Sequence, residues 1–206
     1  MGRVIWKPGT FEYPIPAVLV TTGTYENANV LTVAWTGILN TNPAMVYISV
    51  RPERYSYALL NETKEFVINL TTENLTYETD FCGVKSGKEI DKFKEAGLTK
   101  EKANFVKCPI IKESPVSIEC RVEETKNLGS HTMFIARVLS IDVDEKYVDD
   151  KGAFDIEKCH LMAYANGGYF GLGKKLGKFG YSVMKKKTAK RYNNRNFAKP
   201  NKSNKK

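Results

Sequence analysis

The chain has 206 residues, 42% of them apolar, and its 32 Lys or Arg outweigh 23 Asp or Glu for a formal net charge of +9. That length buries a sizeable core without disulfides, and four scattered cysteines with two histidines exclude a zinc or iron–sulfur framework. No apolar run is long enough to span a bilayer and the first residues lack the apolar stretch of a secretory signal, so a cytoplasmic protein is expected, in which the Asn-x-Ser/Thr triplets at Asn61, Asn69 and Asn74 are chance matches.

In chain order, β-branched content or alternation predicts strands over 17–22, 30–35, 45–50, 66–70, 116–122 and 132–143. Helical patterns fall at 56–62, 74–82 and 88–95. Between Asn29 and Thr36, the small groups of Thr32, Ala34 and Thr36 alternate with Val33 and Trp35, so an indole lies on the face opposite to them. Pro52 cannot donate to a ladder, so the strand ending Ser49-Val50 must stop and deliver Arg51 to a sheet edge. Ser56 precedes the helix-forming run Tyr57-Ala58-Leu59-Leu60 and is the expected N-cap, which leaves backbone N–H groups beside Arg51. An arginine and a helix N-terminus converging on one spot make a phosphate site. A flat heterocycle could pack against 29–36 and take hydrogen bonds from its backbone. Taken singly, each segment reads equally as a half-buried strand followed by an ordinary turn; the pair together points to an anionic, planar ligand.

These residues carry a resemblance. Asn29-x-x-Thr32-x-Ala34-Trp35 and Ser49-x-Arg51-Pro52-x-Arg54-x-Ser56-Tyr57 are followed, in order, by Ser86-Gly87-x-x-x-Asp91-Lys92-Phe93, Cys108-Pro109-Ile110-Ile111-x-Glu113-Ser114, Gly129-x-His131 and Tyr169-x-x-Leu172-Gly173. The series resembles the flavin reductase-like family, the flavoredoxin branch of the FMN-binding split barrels, over residues 10–184. Single motifs of this kind are weak, whereas six in sequence order are strong. The resemblance implies a mainly β, antiparallel split barrel, and a homodimer that binds FMN near the subunit interface. Electrons would arrive from a reduced nicotinamide, NADH or NADPH, or from another redox protein. The acceptor is not implied.

Carried onto this chain, the resemblance implies that Arg51 and Lys92 neutralise the FMN phosphate while Ser56 and Tyr57 donate to it. Asn29, Thr32, Val33, Ala34, Trp35 and Thr36 line the ring system, with Ser49, Val50, Ser86, Gly87 and Asp91 as further cofactor contacts. His131 is the single catalytic candidate, on the nicotinamide side. FMN is expected rather than FAD because the phosphate site is compact and no adenosine-binding motif is visible, although flavin reductase relatives use FAD as well. Two other readings stay open: an electron carrier that turns over no nicotinamide, and a basic-tailed nucleic-acid-binding barrel, which lacks an aromatic and basic stripe on any strand.

Six or more antiparallel strands with a few helices fit a small closed barrel, and the 74–95 insertion is expected to pack over one of its mouths. Cys120 shares an inward strand face with Val116, Ile118 and Val122 and is read as core; Cys82, near Ser86-Gly87, stays open as a thiol beside a flavin. Gly167 to Lys178 has the wrong spacing for a P-loop and is read as a glycine-rich packing element near the dimer contact. From residue 158 on there are 14 Lys or Arg and no Asp or Glu, which leaves the preceding 157 residues at a net −5. Residues 1–184 are therefore expected to form the domain and 185–206 a disordered basic arm, either solvating or in contact with acidic partners.

Overall fold

The computed structural model describes residues 2–185. Its elements are β1 (Ile15–Pro16), β2 (Val18–Gly23), β3 (Ala28–Val33), β4 (Thr36–Asn40), β5 (Met45–Val50), α1 (Tyr55–Thr63) and β6 (Glu65–Asn69), then α2 (Thr76–Val84), α3 (Lys92–Glu95), β7 (Lys100–Glu101), β8 (Ile110–Ile111), β9 (Val116–Asn127), β10 (Thr132–Val143), β11 (Met162–Ala165) and β12 (Gly168–Gly171). Seven strands form one antiparallel sheet in the order β3-β2-β6-β9-β10-β5-β4. Its two edge strands are consecutive in the chain, so Ala34 and Trp35 alone bridge from one edge to the other and the sheet must curl into a half-barrel. The Trp35 carbonyl accepts the Ser49 N–H at 2.8 Å and ties this link to β5. The split barrel expected from the sequence is the fold observed.

Strand alternation sorts the core into two layers. Val18 and Val20 of β2 and Leu31 and Val33 of β3 meet Val46, Ile48, Val50, Phe66, Ile68, Cys120 and Phe134 in one cluster. The intervening Leu19 and Val30 point the other way and pack with Leu75, Cys82, Phe93, Leu98 and Ile111. Because both faces of β2 and β3 are apolar, both need cover. The α2–α3 insertion accordingly covers the second face of that strand pair rather than a barrel mouth, which corrects the expectation above. The loop between β7 and β8 is held by a carboxylate: Glu119 of β9, fully buried, accepts the N–H groups of Asn104 (2.8 Å), Phe105 (2.6 Å) and Val106 (3.0 Å).

Other boundaries moved for local reasons. The strand expected over 30–35 runs from Ala28 and ends at Val33, and the helix expected over 88–95 shrinks to α3, because the Asp91 carboxylate accepts the N–H groups of Phe93 (3.0 Å) and Lys94 (3.3 Å) and starts the helix there. Strands β11 and β12 form a hairpin across Asn166-Gly167, both at positive φ. Gly171 packs so closely that a Cβ would lie 2.1 Å from Glu73 Oε1.

The described residues divide into two units at Leu172 and Gly173. The described part of the second ends at Lys185 and holds one 3₁₀ turn, Tyr181–Val183. The expectation of a disordered arm over 185–206 falls, apart from Lys185, outside the described residues. No described helix is long and apolar enough to cross a membrane.

Candidate functional site

A pocket of about 190 Å³ opens where α1 begins, lined by Asn29, Arg54, Tyr55, Ser56, Lys85, Ser86, Gly87 and Lys92, with Leu31 and Glu53 completing it. Lys92, at the start of α3, is only 2% exposed. Its ammonium donates to the Cys82 carbonyl at 2.7 Å and the Val30 carbonyl at 3.0 Å. Among the described residues no carboxylate pairs with it, and one of its three donors remains for the pocket. Burial pushes Lys92 down to about 8, opposed by Cys82 and reinforced by the nearby Arg54 guanidinium. Burying a cation without a paired anion is costly.

Its neighbours are also donors. Ser56 Oγ accepts from Asn29 Nδ2 at 2.7 Å and from Thr22 Oγ1 at 3.1 Å, so both lone pairs are engaged and its own proton is left to the pocket. Ser56 is the second residue of α1 and not its cap. Arg54 holds the cap position with extended backbone and makes no side-chain cap bond, so the first N–H groups of α1 stay open beside the pocket. Arg54 Nη1 donates to the Gly83 carbonyl at 3.0 Å, which keeps the guanidinium against α2. At Gly87 a Cβ would come within 2.2 Å of Asn29 Oδ1, so only glycine lets this loop approach.

Several residues expected to bind the cofactor are committed elsewhere. Arg51 pairs with Glu53 at 3.2 Å and does not line this pocket, whereas Arg54, three residues on, does. Tyr57 bonds Thr132 Oγ1 at 3.3 Å and packs edge-on against Phe134, away from the pocket. Thr32 donates to the Thr79 carbonyl of α2, Val33 and Val50 are core, and Asp91 is a helix cap. Burial raises the Cys82 thiol to about 11, so it is inert at neutral pH. Leu31, Glu53, Arg54, Tyr55 and Lys85 line the pocket without having been expected there, although Arg54 stands within the Ser49–Tyr57 motif.

Beyond the end of β3, Ala34 and Trp35 of the link, Thr36, Gly37 and Ile38 of β4 and Tyr47 of β5 line a second cavity of about 740 Å³, closed on its other side by residues 9–13 and Ile15. Trp35 is 40% exposed, and its indole stacks nearly parallel to His131, with centroids 5.9 Å apart and planes at 10°. His131 Nδ1 lies 2.9 Å from Ser130 Oγ. Burial and then Arg51 lower its pKa, against a smaller opposing effect of Glu53, so the imidazole is neutral near pH 7. β3 thus runs from the donor-rich pocket at Asn29 towards an aromatic cavity at Trp35.

Residues 10–173 match the family model of the flavin reductase like domain. The chain belongs to that family. Among solved structures it is similar to the flavoredoxin of Desulfovibrio vulgaris (Miyazaki F), at 28% identity and a TM-score of 0.82 over 89% of this chain and 100% of that one. The flavoredoxin of Methanosarcina acetivorans gives 26% identity and a TM-score of 0.80 over the same shares. An uncharacterised protein of Pyrococcus abyssi (strain GE5 / Orsay) is 34% identical over 134 residues, 65% of this chain and 77% of that one. The family and these neighbours make the fold a flavin-binding one. An FMN-binding protein of Thermus thermophilus shares the fold at 21% identity and a TM-score of 0.72.

Proposed function

We propose that this chain is an FMN-binding oxidoreductase of the flavoredoxin type, acting in the cytoplasm as a homodimer and passing electrons from a reduced nicotinamide or a redox protein to an acceptor. The observation that carries this reading is Lys92, a buried ammonium with no anionic partner among the described residues, in a pocket it shares with Arg54, Ser56 and Lys85. The residues fit a phosphate monoester. Lys92 and Arg54 supply charge, Ser56 and the first N–H groups of α1 supply directed donors, and Gly87 supplies close approach. Lys85 and Ser86 complete the rim. A pocket of about 190 Å³ takes a phosphate and supports FMN over FAD.

Bound FMN would supply hydride or single-electron chemistry that no side chain here provides. The chain's part is to hold and orient it. Asn29 of β3, the link residues Ala34 and Trp35, and Thr36 of β4 follow the chain away from the anion pocket, where a planar ring system would rest. His131, neutral near pH 7 and stacked on Trp35, offers Nε2 as a hydrogen-bonding partner for an incoming donor. Ile38 is 84% exposed on the edge strand β4, which supports a second copy as its cover.

The Trp35–His131 stack also favours a second reading, an electron carrier: an imidazole already covered on one face by an indole is less open to a nicotinamide ring. One experiment separates the two. Protein reconstituted with FMN should show flavin absorbance that bleaches on adding NADH or NADPH. Bleaching only by dithionite or a reduced protein means a carrier, and failure to retain flavin sinks both readings.

A further inference from the structure

We propose that the cavity between residues 9–13 and the β4–β5 pair is a binding site for an uncharged, planar aromatic compound. The inference goes beyond the flavin reading, because it concerns walls to which that reading gives no cofactor contact. Four of the lining residues are aromatic: Phe11 and Tyr13 from the N-terminal segment, Trp35 from the link and Tyr47 from β5. The volume of about 740 Å³ falls within the roughly 300–1,000 Å³ of small-molecule pockets. The N-terminal wall is anchored: β1 pairs with β11 through Ile15 opposite Tyr164 and Pro16 opposite Ala163. Just before β1 the rings continue edge-on, Phe11 against Tyr13 with centroids 5.5 Å apart and Tyr13 against Tyr164 at 6.1 Å. On the other wall, Thr36 Oγ1 donates to the Tyr47 carbonyl at 2.8 Å, and the Tyr47 ring lies against Gly37, where a Cβ would come within 2.9 Å of it. Phe11 is 63% exposed and Trp35 40% exposed, so aromatic surface is left uncovered on both sides.

Charge narrows the class of ligand. Glu12 is the one charged residue among those lining the cavity, and no Lys or Arg is among them. An anionic ligand would leave water to sit near a carboxylate with no cation to meet it, a cost that an uncharged ring does not carry. A quaternary ammonium needs rings drawn to within about 6 Å around it, which a space of this size does not provide. A flat uncharged ring system gains by covering the exposed faces of Phe11 and Trp35, and the phenol hydroxyls of Tyr13 and Tyr47 can donate to a carbonyl or hydroxyl that it carries.

The test is equilibrium dialysis of the full chain, with and without FMN, against N-phenylnaphthylamine and against its sulfonated analogue, anilinonaphthalene sulfonate. The uncharged probe is expected to bind both forms at one site, and the sulfonate about tenfold or more weakly. Phe11→Ser should weaken the uncharged probe about five- to tenfold at an unchanged melting temperature. Glu12→Gln should tighten the sulfonate and leave the uncharged probe as it was. No binding of the uncharged probe, equal affinity for the two probes, or wild-type affinity in Phe11→Ser overturns the proposal. Binding to the apoprotein that FMN abolishes also overturns it, by making the cavity the seat of the flavin ring alone. A chain that fails to retain FMN sinks the flavin reading and not this one, which the apoprotein titrations then decide.

Discussion

Lys92 is the residue on which the proposed anion site turns, and its substitution separates binding from folding. Lys92→Met removes a desolvated cation and leaves the apoprotein's melting temperature equal or higher, since an unpaired buried charge is itself destabilising. FMN affinity should fall about ten- to a hundredfold, the loss of one charge-assisted contact. Equilibrium titration of the apoproteins checks both halves, and an unchanged dissociation constant would remove Lys92 from the site. The pH dependence has a definite sign. An anion prefers the protonated lysine, so with Lys92 near 8 in the apoprotein, affinity is flat just below that pH. Above it affinity weakens by up to about tenfold per pH unit, until the raised value in the complex is passed. The Met variant should lose this slope. At His131, alanine should slow flavin reduction by NADH or NADPH about ten- to a hundredfold without changing the flavin spectrum. Stopped-flow rates equal to wild type would leave the carrier reading standing.

At the scale of elements, the helix starts explain which site residues could be read from sequence. Lys92, Ser56, Asn29, Ser86 and Gly87 were all legible and all line the pocket. Arg51 was not separable from Arg54, because the choice depends on the turn between them, closed by the Arg54 N–H on the Arg51 carbonyl at 3.1 Å, and composition does not set that turn's direction. Ser56 was misplaced as a cap for the same reason. The hairpin at Asn166-Gly167 carries a plain Asn-Gly turn signal in the sequence. Asp91 shows an element deciding a site: its carboxylate begins α3 and so sets where Lys92 emerges. Asp91→Ala should cost ~1 kcal/mol of stability through the lost cap. It should also weaken FMN binding by a smaller factor than Lys92→Met, as calorimetry and titration would show; an effect on neither would mean that the start of α3 is held by packing alone.

For the whole molecule, a curled β fold followed from strand count, alternation and the family resemblance, whereas the strand order did not, because it depends on two residues joining opposite edges of one sheet. That arrangement leaves β4 at an edge with Ile38 outward. A charge there is a direct probe of assembly. Ile38→Lys should convert the expected dimer to a monomer, measured by sedimentation equilibrium, while leaving the monomer's own fold unchanged because the side chain packs on nothing within it. A dimer of wild-type stability would place the interface elsewhere.

The ammonium of Lys92 is held by two main-chain carbonyls, one from β3 and one from α2. Every amino acid supplies a backbone carbonyl, so the side chains at positions 30 and 82 can drift during divergence without loosening this grip, provided the replacements still pack. The information that builds the anchor is written at one position of the chain instead of three. Conservative replacements such as Val30→Ile and Cys82→Ala are then expected to leave flavin content intact, and relatives that differ at both positions can share the same anchor while giving no sign of it in an alignment.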